Sequence, residues 1–304
     1  MTYDTIIIGG GAAALTGALY LGRYERNVLV VCDSIGGQTA IAGVIENFPG
    51  YTSINGAELM LKLKTQVENL ETVEIKEGAS ANSIDENKGS FEIKSGDNIY
   101  FGKTILIAAG KRHRKLGLEN EDDLVGKGIS YCATCDGPFA RGKKAAVIGG
   151  GNSAVEAAQI LSKVAESVYI INITDRFNAE TTRIKQIESD PKIQILQNTK
   201  LTELIADGGK LSQIKIKDAK DKESVKECQM IFVEIGWEPN TEEFAKFVEL
   251  NEIKEIKIDK NDNKTSKAGV YAAGDITDVS AKQVIVACGE GAKAAIAINK
   301  YLGS

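Results

Sequence analysis

Two glycine-rich fingerprints constrain what this chain can fold into more than any other feature of its sequence. Residues 9–14 read Gly-Gly-Gly-Ala-Ala-Ala, and residues 149–154, about 140 positions later, read Gly-Gly-Gly-Asn-Ser-Ala. Each fingerprint follows a β-branched run, opens an alanine-rich helical pattern and precedes a second strand pattern. In such a unit the glycines let the backbone approach a pyrophosphate at the helix N-terminus. The sequence therefore predicts an α/β fold with two Rossmann-like nucleotide-binding domains.

The order of the patterns also predicts how the two domains are connected. A β-rich stretch follows each fingerprint, at residues 73–107 and 192–233, which favours three-layer ββα domains. Near the C-terminus a strand pattern, Gly274-Asp275 and a long alanine-rich helical pattern again resemble a nucleotide site. The simplest topology inserts the second domain into the first. We expect a discontinuous first domain over residues 1–113 and 244–304 and an inserted domain over residues 114–243.

The first fingerprint has the polar residues that a dinucleotide site needs. Asp33 ends the strand after the first helix, where an acidic side chain can accept a hydrogen bond from a ribose hydroxyl. Gly274 and Asp275 supply a second turn of the same kind. A glycine turn that serves only packing is the alternative. Taken together, these residues favour dinucleotide binding in the first domain.

The second fingerprint lacks such residues. The strand that follows it ends at Ile171 and continues with Asn172, Ile173 and Thr174, and Arg176 is the only cation nearby. A site for a ribose 2′-phosphate requires arginine or histidine there, and a site for a free 2′-hydroxyl requires an acidic residue. Losing two or three charge-assisted hydrogen bonds of about 1.5–3 kcal/mol each weakens NADPH by on the order of a thousandfold or more. We favour the interpretation that the second glycine turn is retained for packing. Functional pyridine-nucleotide binding is the alternative.

A closely spaced cysteine pair points to redox chemistry. Cys132-Ala-Thr-Cys135-Asp136 has the spacing of a redox disulfide, and Asp136 can act as a general acid in thiol–disulfide exchange. Zinc is the alternative, but zinc needs four ligands, and the chain has no second such pair and one histidine, His113. The remaining cysteines lie in apolar or strand-like contexts, where we expect inert thiols; they are Cys32, Cys228 and Cys288.

Over essentially its whole length the chain resembles the low-molecular-weight, bacterial-type thioredoxin reductases. The matching segments are residues 9–14, 36–39 (Gly-Gly-Gln-Thr), 45–50 (Ile-Glu-Asn-Phe-Pro-Gly), 131–137, 149–154, 236–240 (Gly-Trp-Glu-Pro-Asn), 274–275 and 282–283. The resemblance implies a homodimer with FAD in the discontinuous domain. It implies that Cys135 lies next to the flavin, that Cys132 attacks the disulfide of thioredoxin, and that Asp136 is the acid. The expected FAD-binding residues are Gly9, Gly11, Ala12, Ala13, Asp33, Gly37, Gln38, Asn47, Gly274, Asp275, Lys282, Gln283 and Val284.

One departure from the family pattern bears on the electron donor. In NADPH-using members the strand that follows the second fingerprint ends in His-Arg-Arg. A further arginine comes four residues later. Asn172, Ile173, Thr174 and Asn178 stand at those positions here. The combination resembles the clostridial ferredoxin-dependent flavin thioredoxin reductases, so we expect ferredoxin as the donor. An NADPH- or NADH-dependent thioredoxin reductase is the first alternative, and a non-catalytic flavin-binding redox sensor is the second.

Net charge and hydropathy limit the classes of partner and the location that we expect for the protein. The net charge of −5 argues against a general binder of nucleic acid or of membrane surfaces. We find no signal-peptide pattern and no apolar run of roughly 20 residues, so we expect a cytoplasmic protein. A basic run, Lys-Arg-His-Arg-Lys at residues 111–115, could attract an acidic ferredoxin. A solvated linker is the alternative interpretation of that run.

Overall fold

The computed structural model describes residues 2–87 and 89–303 of the chain. They form two compact units: unit 1 comprises Met1–Arg112 and Glu238–Ser304, and unit 2 comprises His113–Trp237. The strands are β1 (Thr2–Ile8), β2 (Val28–Val31), β3 (Val44–Ile45), β4 (Ile54–Asn55), β5 (Val73–Lys76), β6 (Ser83–Asn87), β7 (Ser90–Ser95), β8 (Asn98–Ile107), β9 (Lys111–His113), β10 (Ile129–Ser130), β11 (Lys144–Ile148), β12 (Ser167–Ile171), β13 (Ile193–Leu196), β14 (Lys200–Asp207), β15 (Lys210–Lys217), β16 (Glu223–Glu227), β17 (Met230–Val233), β18 (Trp237–Pro239) and β19 (Val270–Ala272). The α-helices are α1 (Ala12–Arg23), α2 (Gly37–Ala40), α3 (Gly56–Glu68), α4 (Glu121–Leu124), α5 (Ala133–Asp136), α6 (Asn152–Ser162), α7 (Thr181–Ser189) and α8 (Val284–Leu302), with short 3₁₀ turns at Gly137–Ala140 and Glu242–Phe244.

Unit 1 is built on a seven-stranded sheet in the order β5-β2-β1-β8-β7-β6, with β19 also paired to β8. Strand β8 pairs with β1 along one edge, and its other edge is shared: the first half pairs antiparallel with β7 and the second half pairs parallel with β19. The carboxyl ends of the parallel strands β1, β2, β8 and β19 therefore meet at one edge. Ligands of open α/β sheets bind at this edge.

Small side chains let the helices of unit 1 pack closely on that sheet. Ala14 and Ala18 of α1 are fully buried in the core that α1 shares with α8. A Cβ placed on Gly291 of α8 would lie 2.2 Å from the carbonyl oxygen of Ala13, so only glycine permits this approach. The approach keeps the start of α1 next to the carboxyl edge of the sheet.

Unit 2 repeats the arrangement around a five-stranded parallel sheet in the order β10-β17-β11-β12-β13. Its central strands β11 and β17 are almost entirely buried, as expected for a parallel sheet that is covered on both faces. Helix α6 packs on one face and the antiparallel sheet β14-β15-β16 covers the other. The predicted α/β fold class, with two Rossmann-like domains, is confirmed.

The chain enters and leaves unit 2 through β9 and β18, which pair with each other. Unit 1 resumes at Glu238, six residues before the position 244 that the sequence suggested. Asn240 already belongs to unit 1, because its amide donates to the carbonyl of Ala109 at 2.7 Å. Phe244 is buried in the core of that unit. Among the described residues, no helix combines the length and apolarity needed to cross a bilayer.

Candidate functional site

A cavity of about 620 Å³ opens in unit 1 at the carboxyl edge of its sheet. The first glycine turn forms one wall of the cavity. Its backbone packs closely against the residues that follow β8. Gly9 has φ +122°, and a Cβ there would lie 2.3 Å from the carbonyl oxygen of Ala108. Gly11 has no neighbouring atom within 4 Å of such a Cβ and faces the open cleft. A side chain at Gly11 would therefore fill space that a ligand needs.

The predicted FAD-binding residues converge on this cavity. All of them except Asn47 line it, namely Gly9, Gly11, Ala12, Ala13, Asp33, Gly37, Gln38, Gly274, Asp275, Lys282, Gln283 and Val284. The amide of Asn47 instead donates to the side-chain oxygen of Gln283 at 3.1 Å. Asn47 therefore orients a residue of the cavity wall.

The cavity fits a flavin dinucleotide. The side-chain oxygen of Gln38 is buried and has no hydrogen-bond partner among the described residues. An oxidised flavin ring carries an N–H group that this oxygen could accept from. Asp33 is exposed at the end of β2, where it can meet a ribose hydroxyl. The cleft thus offers complementary groups for both ends of FAD.

Two lysines of the cavity wall are held by the protein itself. The ammonium of Lys282 donates to the carbonyl oxygens of Asp275 and Thr277 and pairs with Glu255 at 2.8 Å. The carboxylate of Asp275 pairs with Lys111 at 3.0 Å. Lys111 thus lines the cavity in addition to opening the basic run. These contacts stabilise the loop that leads into α8.

The basic run is largely balanced by carboxylates. Besides Lys111, Arg112 pairs with Glu238 and Glu242, and Lys115 pairs with Asp122 at 2.7 Å. The hydrogen bond with Glu242, followed by that with Glu238, raises the pKa of Arg112. This local pairing removes much of the electrostatic argument for ferredoxin docking on the run, which stays a prediction.

The redox centre lies in unit 2, where Cys132 and Cys135 form a disulfide with a Cα–Cα distance of 5.3 Å. Cys132 is the N-cap of α5: its sulfur accepts from the backbone N–H of Cys135 at 3.2 Å and lies 3.5 Å from the hydroxyl of Thr134. Hydrogen bonds of this kind favour a thiolate over a thiol. The surroundings therefore suit negative charge on Cys132. The bonded pair is the disulfide that the spacing predicted.

A serine that the sequence reasoning missed lies beside the predicted acid. The hydroxyl of Ser130 donates to the carboxylate of Asp136 at 2.7 Å and accepts from the N–H of Cys132 at 3.0 Å. Ser130 is the last residue of β10 and is 4% exposed. A hydroxyl two residues before the pair was the available sequence signal.

The other three cysteines are free and buried. Burial raises the pKa of Cys32 to about 11 and that of Cys228 to about 12, and it also raises that of Cys288. Their thiols stay protonated and unreactive at neutral pH, in line with the prediction.

The second glycine turn is closed by its own strand-end loop. Asn172 is 3% exposed and lies against Gly150. Its amide nitrogen donates to the carbonyl of Arg176 at 2.9 Å, and its oxygen accepts from the hydroxyl of Thr174 at 3.1 Å. Ile173 next to it is 71% exposed. The side chain of Asn172 therefore makes its hydrogen bonds within the loop, and the exposed side chain next to it is apolar.

The backbone of Glu234 packs against the same turn. Glu234 follows β17, and a Cβ on Gly149 would lie 2.2 Å from the carbonyl oxygen of Glu234. Burial, with repulsion from Glu156 as the second cause, raises the pKa of Glu234 to about 7. At neutral pH and above, a growing share of Glu234 is therefore negatively charged.

Comparisons with known proteins agree with this architecture. The family model for pyridine nucleotide-disulphide oxidoreductases matches residues 3–291. The chain is 34% identical to a thioredoxin reductase of Listeria innocua over 302 residues, which cover 99% of this chain and 94% of that protein. It is 35% identical over 302 residues to the Staphylococcus epidermidis alkyl hydroperoxide reductase F subunit, and this match covers 99% of this chain but only 59% of that protein. The chain thus spans little more than half the length of this relative.

Solved structures give the same result. Thioredoxin reductase of Lactococcus lactis superposes with a TM-score of 0.83 at 32% identity, covering 99% of each chain. A ferredoxin-flavin thioredoxin reductase of Clostridium acetobutylicum superposes with a TM-score of 0.54 at 28% identity, covering 99% of this chain and 98% of that chain. Fold, cleft, disulfide and sequence similarity agree, and the chain belongs to the pyridine nucleotide-disulphide oxidoreductase family, in which it is an FAD-binding flavoprotein of the low-molecular-weight thioredoxin reductase type.

Proposed function

We propose that this flavoprotein oxidoreductase is a thioredoxin reductase that receives its electrons from reduced ferredoxin without NADPH. The observation that carries the proposal is the loop after β12. Its strand-end residue Asn172 is buried and bonded within the loop, and Ile173 is exposed where a 2′-phosphate would need a cation. Arg176 lies in the loop, but its backbone carbonyl is what holds Asn172.

One of the relatives reported above is named for its electron donor. The Clostridium acetobutylicum structure is named a ferredoxin-flavin thioredoxin reductase, whereas the Listeria and Lactococcus proteins are named only thioredoxin reductase. The rival function is the same chemistry driven by NADPH or NADH, and the intact Gly149 and Gly151 favour it. The loop after β12 carries our preference for ferredoxin.

The energetics permit a donor other than a pyridine nucleotide. Plant-type ferredoxins have potentials near roughly −400 mV, and thioredoxin lies near about −270 mV. For a ferredoxin of similar potential, two electrons falling through about 130 mV release about 6 kcal/mol. When bound, a flavin can accept electrons one at a time and pass them on as a pair.

The residues of unit 2 then perform the disulfide chemistry. Cys135 would take an electron pair from bound FAD, and Cys132, released as a thiolate, would attack the disulfide of thioredoxin. The N–H of Cys135 and the hydroxyl of Thr134 stabilise that thiolate. Asp136 supplies and accepts the protons of the exchange. We also propose a cytoplasmic homodimer, as the family resemblance implies.

The test is an anaerobic reduction of the purified holoenzyme, followed through the visible absorbance of the flavin. We expect reduced ferredoxin to bleach the flavin and to support thioredoxin reduction. We expect excess NADPH or NADH to leave the band unchanged, while dithionite bleaches it as a positive control. Rapid bleaching by either pyridine nucleotide would overturn the ferredoxin assignment.

A further inference from the structure

The hydroxyl of Ser130 occupies a position between the nucleophile and the acid of the redox centre. It lies 2.7 Å from the carboxylate of Asp136, 3.0 Å from the N–H of Cys132 and 3.3 Å from the carbonyl oxygen of Cys132. The residue is 4% exposed, so water has little access to replace these contacts. The backbone N–H of Asp136 also donates to the Cys132 carbonyl at 3.0 Å. The serine therefore joins the two residues through its side chain.

A hydroxyl in this place can satisfy Asp136 in either protonation state. With Asp136 ionised, the Ser130 hydrogen donates to the carboxylate while the N–H of Cys132 donates to the serine oxygen. With Asp136 protonated, the carboxylic acid can donate to the serine oxygen. The serine hydrogen then turns to the Cys132 carbonyl, which lies 3.3 Å away. Only a hydroxyl, which is both a donor and an acceptor, can make this exchange without moving heavy atoms.

We propose that Ser130 is a positioning residue that keeps the Asp136 carboxyl in place through both halves of a proton cycle. The inference rests on the proposed thiol–disulfide function. Ser130 does not touch the substrate disulfide in this role. It acts by holding the acid.

The cycle starts when Asp136 takes the proton of the Cys132 thiol. The Cys132 thiolate attacks one sulfur of the substrate disulfide, the substrate S–S bond breaks, and Asp136 returns the proton to the leaving thiolate. Cys135 then attacks the sulfur of Cys132, and its own proton goes to the second leaving thiolate. The enzyme dithiol is oxidised to the Cys132–Cys135 disulfide, and the substrate disulfide is reduced to two thiols. Asp136 is ionised at the start and protonated in between.

The test uses holoenzyme that is reduced with dithiothreitol, freed of reductant and mixed anaerobically with one of two small disulfides. 5,5′-Dithiobis(2-nitrobenzoate) releases an acidic aromatic thiol, which leaves readily without a proton donor. 2-Hydroxyethyl disulfide releases a basic alkyl thiol, which depends on an acid. Acid quenching and mass spectrometry of the peptide that contains Cys132 and Cys135 measure both single-turnover rates in the same way.

Four variants separate positioning from general damage to the fold. Ser130→Ala removes the hydroxyl, Ser130→Thr keeps it, and Asp136→Asn removes the acid. Ser162→Ala is the matched control, because Ser162 is 8% exposed in the same unit and its hydroxyl donates to the carbonyl of Gln159, away from the cysteines.

We expect Ser130→Ala to slow reduction of the alkyl disulfide at least about tenfold more than reduction of the aromatic one. A positioned acid contributes roughly 10²–10⁴-fold to such a rate, and loss of the serine should remove part of that contribution. Asp136→Asn should shift the ratio in the same direction. Ser130→Thr and Ser162→Ala should keep the wild-type ratio. Equal slowing of both disulfides in Ser130→Ala would mean that the serine only supports the fold, and it would overturn the proposal.

The outcome is independent of the electron donor, since dithiothreitol reduces the enzyme and no ferredoxin is present. A parallel reaction of the wild-type dithiol enzyme with thioredoxin tests the proposed function separately. If the ratio is unchanged in Ser130→Ala while wild-type enzyme still reduces thioredoxin, only the role of Ser130 is wrong. If wild-type dithiol enzyme fails to reduce thioredoxin, the proposed function itself is wrong.

Discussion

The side-chain amide of Asn172 donates to the backbone carbonyl of Arg176 across 2.9 Å, within a loop that spans only five residues. This bond turns the strand-end side chain of β12 inward and leaves Ile173 exposed. A ribose phosphate at the strand end would meet an exposed isoleucine and an amide that is already engaged. The side chain that follows β12 is therefore engaged within its own loop.

Adding cations to this loop should create affinity for NADPH. Ile173 and Asn178 are both exposed, so Ile173→Arg with Asn178→Arg should fold normally. Two new charge-assisted hydrogen bonds should strengthen NADPH binding at least about tenfold, as measured by titration calorimetry. NADH, which lacks the 2′-phosphate, serves as the control ligand and should gain little. An equal gain for both nucleotides would contradict the explanation.

The two glycine turns should respond differently to the same substitution. Gly11 and Gly151 are each the N-cap of a helix, and neither has an atom within 4 Å of an added Cβ. Gly11→Leu should block the cleft and yield colourless protein that lacks bound FAD. Gly151→Leu should keep its FAD and its ferredoxin-driven activity. Loss of that activity in a yellow, folded Gly151→Leu enzyme would indicate that the second turn binds a required nucleotide.

Substituting one or the other of the two redox cysteines should give different products with thioredoxin. Reduced Cys135→Ser should form a mixed disulfide between Cys132 and thioredoxin that persists on a non-reducing gel, because no second thiol resolves it. Reduced Cys132→Ser should form none and should lose thioredoxin reduction. Cys228→Ser is the control: this buried thiol has a pKa raised to about 12, so its removal should leave the activity intact. A mixed disulfide through Cys135 would reverse the assigned order.

Glu234 should make the stability of the protein depend on pH. Its pKa is raised from 4.5 to about 7 in the folded state, so folding disfavours the ionised form. Stability should fall as pH rises from about 4.5 to 7 and then level off. After discounting for partial exposure, Glu234→Gln should gain about 1 kcal/mol at pH 8, or a Tm higher by about 2–4 °C, and nothing near pH 4.

Thermal melts of wild type and variant across this pH range measure the effect. Glu156→Gln removes the second cause of the shift and should give a smaller change of the same sign. A variant that gains more at pH 4 than at pH 8 would show that Glu234 is not destabilised by its charge.

The local chemistry of a few segments was readable from the sequence alone. Gly9 and Gly11 require a tight turn at a strand end, and the spacing of Cys132 and Cys135 permits a small disulfide ring. These features depend on residues close together in the chain, where backbone geometry limits the possibilities. The absence of cations directly after Ile171 was equally visible, because it concerns residue types at fixed positions.

Only the tertiary structure decided the roles that depend on residues brought together from distant segments. Asn47 orients Gln283 across 236 positions, and the ammonium of Lys282 is held by Glu255. Glu234 reaches the second glycine turn because β17 pairs with β11 in parallel register. Folding sets these distances and burials, so no local pattern could have revealed that the backbone of Glu234 packs against the second glycine turn.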